Sequence, residues 1–225
     1  MNIAILGPSG AGKRTHASSL AVRYGLRAVS LGDLIRKHLQ QHTQLANAVR
    51  RHQKSGAPLS AETIAAMIEG WCAELPRRAG ALFDGLPRTL EQARALDEAL
   101  LGHGRTFDAV IHLEVSDAEI LRRLAERIVC PTCHITYHPH LKPPTQLGVC
   151  DLCNSTLPSI PVSQDEHASR LLTAFRENIA PVLDHYRRAG RLIAVSGEGT
   201  MSEVNAHLIQ AIDQLTAAPH ALAHS

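Results

Sequence analysis

The sequence has few aromatic residues and almost no surplus charge, and both shortages exclude classes of function. Aromatic residues make up 3% of the 225 residues, so the base-stacking platforms of single-stranded nucleic-acid binders are not expected. Basic residues number 23 and acidic residues 21, which leaves a net charge of +2 and no basic excess for a polyanion. Nucleic acid is therefore not predicted as a partner, and aliphatic side chains must fill the core.

Long apolar runs are also absent, and no segment reaches the length of a membrane span. The N-terminal residues indicate a strand that enters a glycine-rich loop, so no secretory signal is expected. Five cysteines without such a signal favour metal binding or free thiols over disulfides. These features predict a cytoplasmic protein with no membrane partner, and its length is enough to bury one full core.

The most informative feature that is present is the run Gly-Pro-Ser-Gly-Ala-Gly-Lys-Arg-Thr at residues 7–15. It follows the apolar run 3–6 and opens a helical pattern, which is the setting of a phosphate-binding loop. Glycines let backbone N–H groups approach phosphate oxygens, and the helix start adds a positive dipole end. Lys13 offers a charge to the outer phosphates, and the Thr15 hydroxyl can face Mg²⁺. The predicted nucleotide-binding residues of this loop are Gly10, Ala11, Gly12, Lys13, Arg14 and Thr15.

Short apolar strands alternate with amphipathic helices along most of the chain. The predicted strands are 2–6, 27–30, 81–83, 109–113 and 192–196. The predicted helices are 13–24, 90–100, 118–126, 165–188 and 202–215. This alternation predicts an α/β fold, with a parallel sheet of about five strands and helices on both faces. In such sheets ligands bind at the C-terminal ends of the strands.

Two stretches interrupt the alternation. Residues 31–71 are helical in pattern throughout, whereas residues 127–163 are rich in Pro, Cys, His and Thr and lack helical periodicity. Both are interpreted as insertions carried by one core, and the tail 217–225 has no strong pattern. The predicted core then comprises 1–30, 72–126 and 164–216.

Two Cys-x-x-Cys pairs lie in the second insertion, Cys130 with Cys133 and Cys150 with Cys153. Each pair offers two thiolates from one tight turn, and two pairs complete the tetrahedral set that zinc prefers. Four protein ligands leave no position for water, so the predicted metal is structural. Chance thiol pairs or a redox site are the alternatives. Cys72 lies in an apolar helical stretch and is predicted to be a buried thiol.

Further motifs follow the phosphate-binding loop in order along the chain. They are Ser-Leu-Gly-Asp-Leu-Ile-Arg at 30–36, Phe-Asp-Gly-Leu-Pro-Arg-Thr at 83–89 with Gln92, Arg123 and Arg127 before the cysteine pairs, Tyr137 between them, and Arg170 in the last long helix. Together with the loop and the cysteine pairs, they resemble the adenylate kinase family in its form with a long zinc-bearing lid. The resemblance covers residues 1 to about 215.

The resemblance implies transfer of the γ-phosphoryl group of ATP to AMP, giving two ADP, with Mg²⁺ as cofactor and structural zinc. Residues 31–71 become the monophosphate-binding insertion and 127–163 the lid, two flaps that exclude water on closing. A monomer is expected. The implied catalytic residues are Lys13, Arg88, Arg123, Arg127 and Arg170.

Binding roles follow from the same resemblance. Arg123 and Tyr137 join the loop residues on the ATP side, and Asp84 joins Thr15 in an indirect contact with Mg²⁺. Arg36 and Arg88 suit the acceptor phosphate, because planar guanidinium forks bind it through two bonds. Gln92 offers a donor and an acceptor to a nucleobase. The full set of implied acceptor-side residues is Leu31, Arg36, Leu59, Gly85, Arg88, Gln92, Arg127 and Arg170.

Several positions depart from the family pattern. Arg14 stands where glycine is usual, Leu31 where a hydroxyl residue is usual, and Ile128 where the family has a second lid arginine. The stretch 156–163 has no charged residue, where the family has an arginine and paired aspartates. Less tight lid closure and lower turnover than in relatives with the full set are therefore expected.

Other functions remain open at this stage. One is a related kinase that accepts CMP, UMP or GMP, although members with short lids lack the cysteine pairs. Another is a nucleotide-binding regulator that kept the fold and lost turnover, which the departures in the lid favour. A zinc-ribbon nucleic-acid binder is disfavoured by the nearly neutral charge and the scarcity of aromatic residues.

Overall fold

The computed structural model describes residues 1–55, 59–125, 128–130, 136–139, 143–158 and 165–217. In chain order, the strands are β1 Asn2–Leu6, β2 Leu26–Ser30, β3 Gly80–Asp84, β4 Ala109–Glu114, β5 Ile128–Val129, β6 Thr136–Tyr137 and β7 Leu192–Ser196. The helices are α1 Lys13–Tyr24, α2 Leu31–Gln40, α3 Leu45–Ser55, α4 Ala61–Glu74, α5 Leu90–Gly102, α6 Asp117–Ala125, α7 Asp165–Arg188 and α8 Met201–Ala217.

Five strands form a parallel sheet in the order β2-β3-β1-β4-β7, and β5 pairs with β6 in an antiparallel ribbon. The predicted α/β fold is confirmed, since all five predicted strands lie in this sheet. Their ends differ from the prediction by at most one residue. Helix α8 begins at Met201 because Thr200 and Glu203 cap each other's backbone N–H groups, at 2.8 and 3.3 Å.

Both faces of the sheet are buried, as a parallel sheet requires. Side chains of the central strand β1 alternate between the faces, because successive residues of a strand point to opposite sides. Ala4 and Leu6 pack with α2 to α5 and α7, whereas Ile3 and Ile5 pack with α1, α6 and α8. Among the described residues, no helix has an apolar stretch long enough to cross a membrane.

The stretch 31–71, predicted to be helical throughout, contains α2, α3 and the first part of α4. Helix α4 continues to Glu74, so the predicted domain boundary after residue 71 falls inside a helix. Ile64, Met67 and Ile68 of α4 belong to the same buried cluster as residues of β3 and α5. The last helix of the predicted insertion is therefore packed against the core.

Four of the few aromatic residues form a continuous chain through this cluster. Trp71, Phe83, Phe107 and Tyr186 contact one another edge to face, with ring centroids 5.6, 5.2 and 5.8 Å apart in that order. Such pairs add about 0.5–1.5 kcal/mol each beyond the burial of their area. The chain joins α4, β3 and α7 through Phe107, which lies just before β4.

Candidate active site

The glycine-rich loop joins the end of β1 to the start of α1. Gly10 and Gly12 have φ angles of 90° and 84°, a left-handed conformation that other residues rarely adopt. The loop turns back on itself, with the Ala11 N–H donating to the Pro8 carbonyl at 3.2 Å. The Lys13 ammonium donates to the same carbonyl at 2.7 Å, so it lies over the loop. Together with the unpaired N–H groups of a helix start, this arrangement is a cradle for phosphate.

A cleft of about 470 Å³ opens beside this loop at the carboxyl ends of the sheet strands. Most of the residues predicted from the sequence line it, from both sides. They are Gly10, Gly12, Lys13, Arg14, Thr15, Leu31, Asp84, Gly85, Arg88, Arg123 and Tyr137. The sequence assigned no nucleotide-binding role to the other lining residues, which are Ser9, Ser30, Gly32, Leu124, His138 and Met201.

Other predicted residues lie outside this lining. Ala11 is buried beneath the loop, and Leu59 is buried in the cluster under the first insertion. The Gln92 carboxamide oxygen accepts from the Arg88 N–H at 2.8 Å, so it holds the Arg88 backbone rather than facing the cleft. Arg36 is paired with Asp33. Arg127 lies outside the described residues, and Arg170 lies in α7 with a side chain outside the described part of the structure.

Lys13, Asp84 and Arg88 form the charged centre of the cleft. Burial lowers the pKa of Lys13 to about 8, with Arg88 acting in the same direction and Asp84 opposing. Burial raises the pKa of Asp84, and the positive charges of Lys13, Arg14 and Arg88 oppose that rise. The Arg88 Nε–H donates to the Gly85 carbonyl at 3.2 Å. Three cations thus surround one carboxylate, which suits a site for phosphate and a hydrated cation.

Nucleotide binding is expected to weaken as the pH rises through about 8. The Lys13 ammonium of the free protein loses its proton in that range, and near pH 9 only about one tenth of the protein still carries the charge. Because only that fraction is competent to bind, the apparent affinity for ATP is expected to be about tenfold weaker there. Titration calorimetry with ATP at pH 7, 8 and 9 measures this change. The Lys13→Arg variant is the control, because its guanidinium stays charged and its pH profile is expected to be flat. Equal profiles for the two proteins would contradict the prediction.

Arg123 reaches the cleft from α6 and is almost fully buried. Its guanidinium donates to the Glu119 carboxylate at 2.7 Å and to the Gly197 carbonyl at 3.0 Å. Hydrogen bonds from Arg122 and Arg123 lower the pKa of Glu119 to about 2, so this carboxylate is ionised at neutral pH. Glu119 was not predicted from the sequence, although its spacing of three and four residues from the two arginines on one helix face could have indicated it.

Three of the four lid cysteines meet in a second centre. The sulfur atoms of Cys130, Cys150 and Cys153 lie within 4.8 Å of one another, and Cys133 lies outside the described residues. Cys130 and Cys150 are buried with Tyr137 and Leu157. Cys72 is also buried, as predicted, and burial raises its pKa to about 11.

The geometry of these three thiols fits zinc. Their sulfurs are not bonded, since the Cys130 and Cys153 Sγ atoms are 3.5 Å apart, whereas a disulfide needs about 2.05 Å. A tetrahedral ion with Zn–S bonds of about 2.3 Å holds its sulfurs about 3.8 Å apart. The turn between Cys150 and Cys153 is closed by the Asn154 N–H, which donates to the Cys150 carbonyl at 2.9 Å. This turn presents both thiols to the same point.

Comparison with known proteins agrees with this geometry. Residues 5–191 match the family model described as adenylate kinase. The adenylate kinases of Symbiobacterium thermophilum and Streptomyces avermitilis are 36% and 35% identical over 212 and 214 residues, covering 94% of this chain and 98% and 97% of theirs. That of Erythrobacter litoralis is 36% identical over 216 residues, or 96% of this chain and 99% of the relative. The phosphate-binding loop, the strand order and these matches together show that the chain belongs to the adenylate kinase family.

Proposed function

We propose that this adenylate kinase transfers the γ-phosphoryl group of ATP to AMP and releases two molecules of ADP. One observation carries the proposal: the phosphate cradle with Lys13 faces Asp84 and Arg88 across a single cleft. Donor phosphates on the loop and an acceptor phosphate on Arg88 would then lie side by side. Phosphoryl transfer needs little beyond such positioning and the neutralisation of charge.

Each charged group of the cleft has a part in this proposal. Lys13 holds the outer phosphates of the donor, and Arg123, kept rigid by Glu119, faces the transferring group. Arg36 and Arg88 bind the acceptor phosphate, and the implied roles of Arg127 and Arg170 at the lid belong to the same proposal. Gln92 supports this site by fixing the backbone of Arg88 and by offering its amide nitrogen. The remaining implied contacts are Leu31, Gly85 and Tyr137, which line the cleft, and Leu59, which is buried outside its lining.

Mg²⁺ fits the oxygen groups of the cleft. The Asp84 carboxylate and the Thr15 hydroxyl both line it beside the phosphate loop. Hard oxygen ligands with room for water are what Mg²⁺ requires, and these two residues would hold it through its hydration shell. When bound, the ion neutralises charge on the phosphate oxygens.

Zinc is proposed as the second metal, with a structural role. Cys130, Cys150 and Cys153 would supply three thiolates, and Cys133 would supply the fourth. In this proposal the lid comprises 127–163 and the monophosphate-binding insertion 31–71. The core comprises 1–30, 72–126 and 164–216, and the tail 217–225 follows it. The monomeric state and the cytoplasmic location stay predictions.

A coupled assay of ADP formation tests the reaction and the acceptor together. The enzyme is given ATP and Mg²⁺ with AMP, CMP, UMP or GMP, and kcat/KM is compared. AMP is expected to exceed the other acceptors by at least about tenfold, since a site that hydrogen-bonds one base rejects others strongly. A better turnover of another monophosphate would identify a related kinase. Nucleotide binding without ADP formation from any acceptor would leave a regulator and overturn the proposal.

A further inference from the structure

Arg14 follows the lysine of the phosphate loop and differs from the small residue that the family pattern predicts. Its side chain is 73% exposed and leans away from the loop, towards the start of α2. There its guanidinium lies 3.7 Å from the Asp33 carboxylate oxygen Oδ1. A bulky residue is tolerated on this first turn because it points outward, and its charge reaches the acceptor side of the cleft.

The Asp33 carboxylate serves two purposes with its two oxygens. Oδ2 accepts from the Ser30 N–H at 3.1 Å and from the Ser30 hydroxyl at 2.6 Å, which caps α2. Oδ1 accepts from Arg36 and is also the oxygen nearest to Arg14. Burial raises the pKa of Asp33, but hydrogen bonds from Ser30 and Arg36 outweigh it and the net shift is downward. An ionised carboxylate therefore holds one guanidinium and has a second close by.

The pairing of Arg36 with Asp33 opposes acceptor binding, because it has to break before Arg36 can bind a phosphate. Arg36 is assigned to the acceptor phosphate, yet in the structure its guanidinium is bound to Asp33. Turning Arg36 towards a phosphate leaves the Asp33 carboxylate with its bonds from Ser30 but without the guanidinium that balances its charge at Oδ1. A second cation at the same oxygen lowers the free-energy cost of that change, because the carboxylate never loses a counter-charge.

We propose that Arg14 is a positioning residue that takes over Asp33 when Arg36 turns to the acceptor phosphate. This exchange of partners rests on the proposed function of the cleft. It adds to that function a residue of the ATP-binding loop that influences the binding of AMP. Arg14 belongs to the phosphate-loop helix and Asp33 to the first helix of the insertion. Their contact therefore links the two nucleotide sites directly.

The test is the Arg14→Gln variant, with Arg94→Gln as the matched control. Arg94 is an exposed arginine on α5 outside the cleft lining, so its replacement changes the net charge equally. The Arg14→Gln variant is expected to raise the KM and the Kd for AMP about two- to fivefold, the range of an exposed ion pair. The KM for AMP is expected to rise more than the KM for ATP, and Arg14→Lys is expected to restore part of the AMP affinity.

A double-mutant cycle with Asp33→Asn identifies the partner. The asparagine can still accept from the Ser30 N–H, and the effect of Arg14→Gln on AMP binding is expected to vanish in its background. Thermal unfolding verifies that all variants fold. An equal effect in that background, or a rise in KM for ATP matching that for AMP, would overturn the exchange. Inactivity of the unmodified protein with ATP and AMP would instead refute the proposed function, and calorimetric titration of AMP alone still tests the exchange.

Discussion

Replacement of Lys13 by methionine is expected to lower kcat by at least about a hundredfold while leaving the fold intact, since a charge preorganised on the transferring phosphates contributes on that scale. In the free protein the ammonium already lies over the loop, 2.7 Å from the Pro8 carbonyl, and no large rearrangement is needed to meet a phosphate. Methionine keeps an unbranched apolar side chain and removes the ammonium group, with its charge and its hydrogen bond to the Pro8 carbonyl. Steady-state kinetics with ATP and AMP measure the loss.

The Lys37→Met variant is the matched control for this experiment. Lys37 is a lysine of α2 that pairs with Glu74, at 2.5 Å, and it lies outside the cleft lining. We expect it to lower stability by up to about 1 kcal/mol and to change kcat less than about twofold. Near-normal kcat in a folded Lys13→Met protein would contradict the role assigned to the loop. Equal losses in both variants would assign the effect to general charge rather than to position.

The fold could be predicted from the sequence because its signals are local. Apolar strands bounded by turns, each followed by an amphipathic helix, indicate a parallel sheet without any knowledge of contacts. The boundary after residue 71 stays a prediction. Helix α4, Ala61–Glu74, crosses it, and the packing of α4 against α5 joins residues that are distant in the sequence, which local signals do not show.

Some residues of the cleft could likewise be predicted from local sequence signals, and others could not. Lys13 and Asp84 were predictable because the carboxyl ends of neighbouring parallel strands meet at one edge of the sheet. The carboxylates that pair with the arginines of the cleft could not be predicted from the sequence, with one exception. Glu119 meets Arg123 within one helix and follows from spacing, whereas the contact of Arg14 with Asp33 depends on how β2 and β3 lie beside β1.

Replacement of Cys153 by serine is expected to remove zinc from the protein, which as purified is expected to carry about one equivalent held by four thiolates. Loss of a direct ligand is expected to weaken zinc binding at least about a hundredfold. Loss of a residue that only hydrogen-bonds to a ligand already lowers metal affinity about ten- to a hundredfold. Cys153 is chosen because its thiol is partly exposed, so the substitution disturbs packing less than one at Cys130. Metal analysis of protein purified under reducing conditions gives the stoichiometry.

The structural consequence of zinc loss is expected to be confined to the lid. Among the described lid residues, Cys130, Tyr137, Cys150 and Leu157 form one small buried cluster, separate from the two clusters that flank the sheet. So little apolar burial cannot hold a segment without its metal, whereas the sheet does not depend on it. Limited proteolysis is expected to cleave the lid of the Cys153→Ser variant first, with far-ultraviolet circular dichroism nearly unchanged.

Cys72→Ala is the control for this experiment, since that thiol is buried in the core cluster beside α5. It is expected to keep a full equivalent of zinc and an intact lid, and to lose stability only through the smaller side chain. Reduced protein without zinc, or a disulfide among the lid cysteines, would contradict the assignment. Equal zinc loss in the Cys72→Ala and Cys153→Ser variants would show that the metal responds to the fold as a whole. Zinc loss in Cys153→Ser alone, with cleavage limited to the lid, would identify the metal as what holds the lid together.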